Sequence, residues 1–267
     1  MTGPVVALSA RGVRMEYRDR ATDTALLAIE DVDLDVAEGE FVSLLGPSGC
    51  GKSTLLKIVN GLLKATAGEI HLRAGGKGRE DAMVFQDPGL FPWYSVLDNV
   101  AYGLVCAGVP RREARRRALP LIDLVGIGGF AEKYPYQLSG GMQQRANLAR
   151  ALAVDSEILL MDEPFASLDA QTREVMQSEL LRIWNAAKKT VLFVTHQIDE
   201  AIFLSDRVIV MAARPGRVIA DIPIELARPR QLEVKRTSAF VEYEDQIWKL
   251  IARQRQSMAV GSQPDGA

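Results

Sequence analysis

Short apolar runs recur along the chain. Phe41–Leu45, Ile158–Met161, Val191–Thr195 and Val208–Met211 are continuous and rich in Val, Leu and Ile, as strands buried on both faces are. Residues 5–17 and 26–36 alternate apolar with polar positions and predict antiparallel strands near a sheet edge. Glu69–Leu72, Ala82–Phe85 and Val218–Ile222 predict further strands. Helical spacing marks 53–63, 111–125, 143–153, 171–187 and 197–204. Strands and helices alternate after residue 154, which predicts βαβ units and a mostly parallel sheet. From Asp87 to about Val154 the strand signal vanishes, so a helical subdomain interrupts the core.

These patterns divide the chain into a discontinuous core (1–87 and 154–225), a helical subdomain (88–153), a C-terminal helical extension (226–256) and a disordered tail (257–267). In the extension, Phe240, Tyr243, Ile247, Trp248 and Ile251 share one helical face and predict a helix packed back on the core. The last segments after the final strand are too short to form an independent regulatory domain.

Composition narrows the classes. The chain has 267 residues, 48% hydrophobic and 25% charged, enough for a full core. A net charge of −2 argues against a nucleic-acid partner. The two cysteines, Cys50 and Cys106, have no metal-binding spacing and read as free thiols of a reducing compartment. The apolar run Val5–Leu8 is too short for a signal peptide, and no stretch approaches a spanning helix. A membrane role would therefore come through a partner.

The strand Phe41–Leu45 runs directly into Gly46, Pro47, Ser48, Gly49, Cys50, Gly51, Lys52, Ser53 and Thr54. This matches the GxxxxGK[ST] phosphate loop, whose glycines let backbone N–H groups close on phosphate oxygens at a helix N-terminus. Lys52 would reach the β- and γ-phosphates, and Ser53 would ligate Mg2+. Cys50 reads as a small side chain tolerated in the loop. The fold class is thus α/β: a P-loop NTPase core with a mostly parallel sheet, an antiparallel β edge and an inserted α-helical subdomain.

The run Ile158–Met161 ends in Asp162 and Glu163. Ligand crevices of parallel sheets lie at the carboxyl ends of strands. Asp162 is placed to hold the magnesium shell, and Glu163 to polarise an attacking water. The bland alternative is a carboxylate pair capping the next helix. His196 ends the next strand and can contact a γ-phosphate, or serve as an ordinary polar residue at a strand end. The other histidine, His71, has no such company and reads as structural. Gln86 follows a strand and opens the helical segment, so its amide can meet magnesium and water at a hinge.

A second glycine-rich element, Leu138-Ser-Gly-Gly-Met-Gln-Gln-Arg145, lies between the phosphate loop and the acidic strand end. With GPSGCGKST (46–54), Gln86, ILLMDEP (158–164), SLD (167–169) and TH (195–196), it makes the chain resemble the ATP-binding cassette (ABC) ATPases from about residue 5 to 225. The resemblance implies ATP and Mg2+ as cofactors and a homodimer around two ATP molecules. It implies that Ser139, Gly140 and Gly141 bind the γ-phosphate held by the other subunit, that Asp169 relays between the sites, and that Tyr17 stacks on adenine. Met142 stands where the family commonly has glutamine. The stretches 88–100, 194–211 and 213–219 resemble the nitrate, sulfonate and taurine importer group, which also includes importers of pyrimidine vitamin precursors. That implies a transmembrane permease, a periplasmic or lipid-anchored substrate-binding protein acting indirectly, and a peripheral position on the cytoplasmic face of the membrane. A soluble cassette acting outside transport is the alternative; those usually carry two cassettes or a coiled-coil insertion.

Two further features divide between function and structure. Leu90, Phe91, Trp93 and Tyr94 lie between Pro88 and Pro92 or just beyond, with no helical or strand period. They read either as a buried loop or as a groove for a permease helix. Arg111, Arg112, Arg115, Arg116 and Arg117 read chiefly as a solvated helix face with Glu113 paired to Arg117.

Overall fold

The computed structural model describes residues 5–18, 23–73 and 81–260, the side chains of 187 and 255–260 excepted. In chain order the elements are β1 (Val6–Arg18), β2 (Ala25–Ala37), β3 (Phe41–Leu45), α1 (Lys52–Val59), β4 (Ala67–Leu72) and β5 (Asp81–Val84). Next come α2 (Val96–Cys106), α3 (Arg111–Leu124), α4 (Gly140–Ala153), β6 (Ile158–Asp162) and α5 (Ala170–Ala187). The chain closes with β7 (Thr190–Thr195), α6 (Ile198–Leu204), β8 (Arg207–Ala212), β9 (Arg217–Pro223) and α7 (Ser238–Val260).

Two compact units emerge: Met1–Ala7, Ala37–Gly39 and Leu72–Phe193 form one, and Leu8–Val36, Glu40–His71 and Val194–Ala267 form the other. In the first unit β5 and β6 pair in parallel, Asp81 with Ile158 through Val84 with Met161. All five residues of β6 are buried, and each large aliphatic among them contributes on the order of 1.5–3 kcal/mol. Helices α2, α3 and α4 pack on one another in the same unit.

The second unit holds the three-stranded sheet β2-β1-β4. Its alternating burial along β1 and β2 follows the alternating sequence. It also holds β3, β8 and β9. β3 runs parallel to β8, Leu45 opposite Val210, and β9 runs antiparallel to β8. Every residue of β3 is buried, Ser43 included, as in a strand covered on both faces.

Three elements differ from the sequence expectation. Helix α1 stops at Val59 rather than 63, because Gly61 takes a φ of 78° and its N–H closes on Ile58 O at 3.0 Å. Helix α2 has no counterpart in the reading above. Its start is fixed by Ser95, whose hydroxyl accepts the Asp98 N–H at 3.2 Å. Helix α7 continues to Val260, into the stretch expected as a tail; 261–267 lie outside the described residues.

The extension is held by buried polar contacts. Arg230, 6% exposed, donates to the carbonyls of Ile202, Phe203 and Ser205 at the end of α6, and to Ile224 and Leu226. Burial lowers its pKa to about 10. Arg228 pairs with Asp206 at 2.8 Å, and Lys235 with Asp199 at 3.0 Å. Phe240 and Ile247 of α7 are fully buried, but Trp248 is not.

Candidate nucleotide site and the ABC family

In the second unit the phosphate loop leaves β3 and closes at Gly51, whose φ of 88° only glycine adopts easily. Gly46 is required for a different reason. A Cβ there would lie 2.6 Å from Met211 O and 2.8 Å from the Cys50 sulfur. Lys52 is buried, and its ammonium donates to Gly46 O at 2.8 Å and Pro47 O at 3.1 Å, with the Cys50 sulfur at 3.7 Å. Burial raises the Cys50 thiol above its ordinary pKa, so the thiol stays neutral beside that ammonium. Ser53 and Thr54 stand half-buried in the first turn of α1. The Tyr17 hydroxyl, from the end of β1, lies 3.4 Å from Thr54 Oγ1.

His196 reaches the same place from β7. With Gly46, Pro47 and Ser48 it lines a cavity of about 450 Å³. The turn beneath it is set by Thr195, which bonds to buried Glu200 and accepts the Gln197 N–H at 3.0 Å. Two motifs distant in sequence thus meet at one loop.

The remaining predicted residues belong to the first unit. The β5–β6 register carries both strands out at one edge, so Gln86 lies there with Asp162 and Glu163. Asp162 is 7% exposed. Glu163 holds a φ of 45°, in the left-handed region that disfavours side chains. Ser139 caps α4, its hydroxyl accepting from the Met142 N–H at 3.4 Å. A Cβ on Gly141 would touch Thr172 Cγ2 at 3.0 Å and Leu168 at 3.7 Å, whereas Gly140 has open space. Asp169 caps α5, accepting from Thr172 N at 3.0 Å and Thr172 Oγ1 at 2.6 Å, and these bonds lower its pKa.

The ABC transporter family model matches residues 29–166. The chain belongs to the ABC transporter family. An uncharacterised ABC transporter ATP-binding protein of Methanocaldococcus jannaschii is 51% identical over 84% of each chain. The taurine import ATP-binding protein TauB of Jannaschia sp. is 43% identical over 94% of each chain. Among solved structures, the dimeric ABC transporter cassette MJ0796 superposes with a TM-score of 0.72 at 34% identity, over 82% of this chain and 100% of that one. The same cassette in a post-hydrolysis state bound to ADP and Pi gives 0.72 at 33% identity. The chain is an ABC transporter ATPase with the α/β fold of that family: a mostly parallel mixed sheet, an antiparallel sheet and a helical region. Among the described residues no helix is long and apolar enough to cross a membrane.

The ABC cassette carries a clamp that the motifs did not reveal. Gln144 and Asn147 of α4 both donate to Phe85 O at 3.3 Å, and Arg150 donates to Pro88 O at 2.7 Å and Gly89 O at 2.9 Å. The helix that follows the signature loop therefore grips the backbone on both sides of Gln86. Residues 144, 147 and 150 recur every third position, and that polar stripe was the signal to find. Burial lowers the Arg150 pKa.

The aromatic segment is ordered from beneath by buried Asn99. Its amide donates to Phe91 O, Tyr94 O and Ser95 O at 3.0–3.1 Å and accepts the Phe91 N–H at 2.8 Å. Phe91 packs against Tyr102 and Tyr94, with centroids 4.7 and 5.7 Å away, while Trp93 is 67% exposed. In the arginine run, Glu113 pairs with Arg116 and Arg117 at 2.7 Å, and Arg115 bridges Asp98 and Glu132.

Proposed function

We propose that this ATPase powers an importer of small organic or inorganic anions of the taurine, sulfonate or nitrate kind. The observation that supports the active-site reading best is that the phosphate loop and His196 line one cavity. The import reading is supported by similarity to TauB proteins, among them one of Pseudomonas putida, 42% identical over 92% of this chain.

In this reading the backbone of 46–54 and Lys52 hold the ATP phosphates, and Tyr17 packs on the adenine. By the family resemblance Ser53, Gln86 and Asp162 would hold Mg2+, and each offers the oxygen donor that this hard ion, which keeps several waters, prefers. The ion would neutralise charge on the β- and γ-phosphates. Glu163 accepts a proton from water as the water oxygen bonds to the γ-phosphorus. The bond from that phosphorus to the β–γ bridging oxygen breaks, releasing ADP and inorganic phosphate. His196 orients the γ-phosphate and that water. Ser139, Gly140 and Gly141 of a second copy cover the phosphate, and Asp169 links the two sites across the pair.

We read 88–153 as the subdomain that carries this signature and meets a permease. Exposed Trp93, on a segment braced by Asn99, offers an apolar anchor for a permease helix beside the Gln86 hinge. The chain then sits peripherally on the cytoplasmic face, with solute selected by a binding protein beyond the membrane.

Glu163→Gln tests the chemistry. The variant is expected to bind ATP normally, lose about 10²–10⁴-fold in hydrolysis, and accumulate as a dimer on gel filtration with ATP and Mg2+. Hydrolysis at the parental rate would remove Glu163 as the base.

A further inference from the structure

Helix α7 divides its apolar residues between two environments. Phe240 and Ile247 are 1% and 0% exposed, whereas Trp248 is 61% exposed. One position beyond Ile247, Trp248 is rotated by about 100° round the helix, off the buried stripe. Its side chain borders the cavity lined by Gly46, Pro47, Ser48 and His196. Ile251, one turn on, borders that cavity and a second of about 200 Å³ that also touches Pro47 and Ser48. An indole mostly in water thus stands at the rim of the phosphate loop.

The helix that carries it is anchored by buried Phe240 and Ile247 and by Tyr243, whose hydroxyl accepts the Glu225 N–H at 3.0 Å. Arg230 ties the extension to the end of α6, and Lys235 ties it to Asp199 at the start of α6. The tryptophan is therefore presented in place. Exposed aromatics on rigid supports are the anchors from which protein interfaces draw most of their energy.

We propose that α7 is part of the subunit interface: a second copy of this chain covers Trp248 when ATP closes the pair. The inference rests on the sandwich reading above, in which residues 139–141 of the second copy cover the phosphate held by the 46–54 loop. Trp248 and Ile251 share their cavities with residues of that loop, so the apolar rim is continuous with that face. The similar cassette MJ0796 is itself a dimer.

The test uses the full chain carrying Glu163→Gln and Trp93→Phe, leaving Trp248 and the buried Trp184 as its indoles. ATP and Mg2+ are added, dimer is followed by sedimentation, and indole exposure by acrylamide quenching. Quenching of the Trp248 component is expected to fall several-fold on dimerisation. With ATP saturating both monomers, Trp248→Ala is expected to weaken the dimer about tenfold, and Trp248→Phe to recover part of the loss. If Trp248 stays equally quenchable in the dimer, or Trp248→Ala pairs as tightly as its parent, the proposal is wrong. Tighter pairing by Trp248→Ala overturns it too and makes α7 an obstacle to closure. If the parent never dimerises with ATP, the sandwich reading itself falls.

Discussion

The two glycine-rich loops open helices in the same way, yet their surroundings are opposite. In the phosphate loop, glycine is demanded by the protein: Gly46 has a backbone oxygen and a sulfur where a Cβ would go, and Gly51 needs a left-handed φ. In the signature loop, Gly140 faces open space and Ser139 is exposed. Among the described residues nothing lies within 4 Å of a Cβ built at 140. The first loop is a cradle shaped from within. The second is bare at Gly140 and packed only at Gly141, against Thr172 and Leu168.

That contrast can be broken by substitution. Gly46→Ala should give the largest effect. The added methyl meets backbone that cannot rotate away, so a loss of about 1–3 kcal/mol in stability and more than tenfold in ATP affinity is expected, by thermal unfolding and nucleotide titration. Gly140→Ala should separate fold from activity. Alanine favours a helix over glycine by up to about 1 kcal/mol, so unfolding should shift upward or stay. Hydrolysis should nevertheless fall at least about tenfold if a phosphate approaches that backbone. Unchanged hydrolysis would show that the bare surface has no ligand.

Glu113→Gln serves as the small-effect control, far from either loop in role. Bonds from Arg116 and Arg117 lower the Glu113 pKa to about 2 from an ordinary 4.5. A depressed carboxylate pKa means that its stabilising contribution is present above 4.5 and is lost as pH falls through about 2. Because the pair is exposed, the neutral-pH melting temperature should change by no more than about 1–2 °C. The difference between the two proteins should close as pH drops from 4.5 to 2, read by thermal unfolding across that range.

What sequence made visible followed from repetition and chemistry. The short, mostly apolar runs at β3, β6, β7 and β8 read as buried strands by their length and β-branched content, and each is one. The phosphate-loop, acidic and signature motifs stood out as sequence patterns because each combines residue types seldom found together, and the family they point to is the one the chain belongs to. Helix α2 was missed although its buried Val96, Leu97, Val100 and Ala101 fall at helical spacing on one face and Ser95 caps its start. The stripe Gln144, Asn147, Arg150 was hidden because polar residues on a helix usually face water, and here they face main-chain carbonyls. Trp248 shows the converse. A shared helical face predicted its burial with Ile247, but a single residue step was enough to turn it out.

The clamp on residues 85–89 has a mechanical meaning. With Phe85, Pro88 and Gly89 carbonyls all held by α4, the Gln86 segment cannot bend alone without stranding buried donors. It must travel with the signature helix, as a tooth travels with its rack. A push delivered at Gln86 would then reach Ser139 as displacement of a stiff rod rather than fade in a flexing loop.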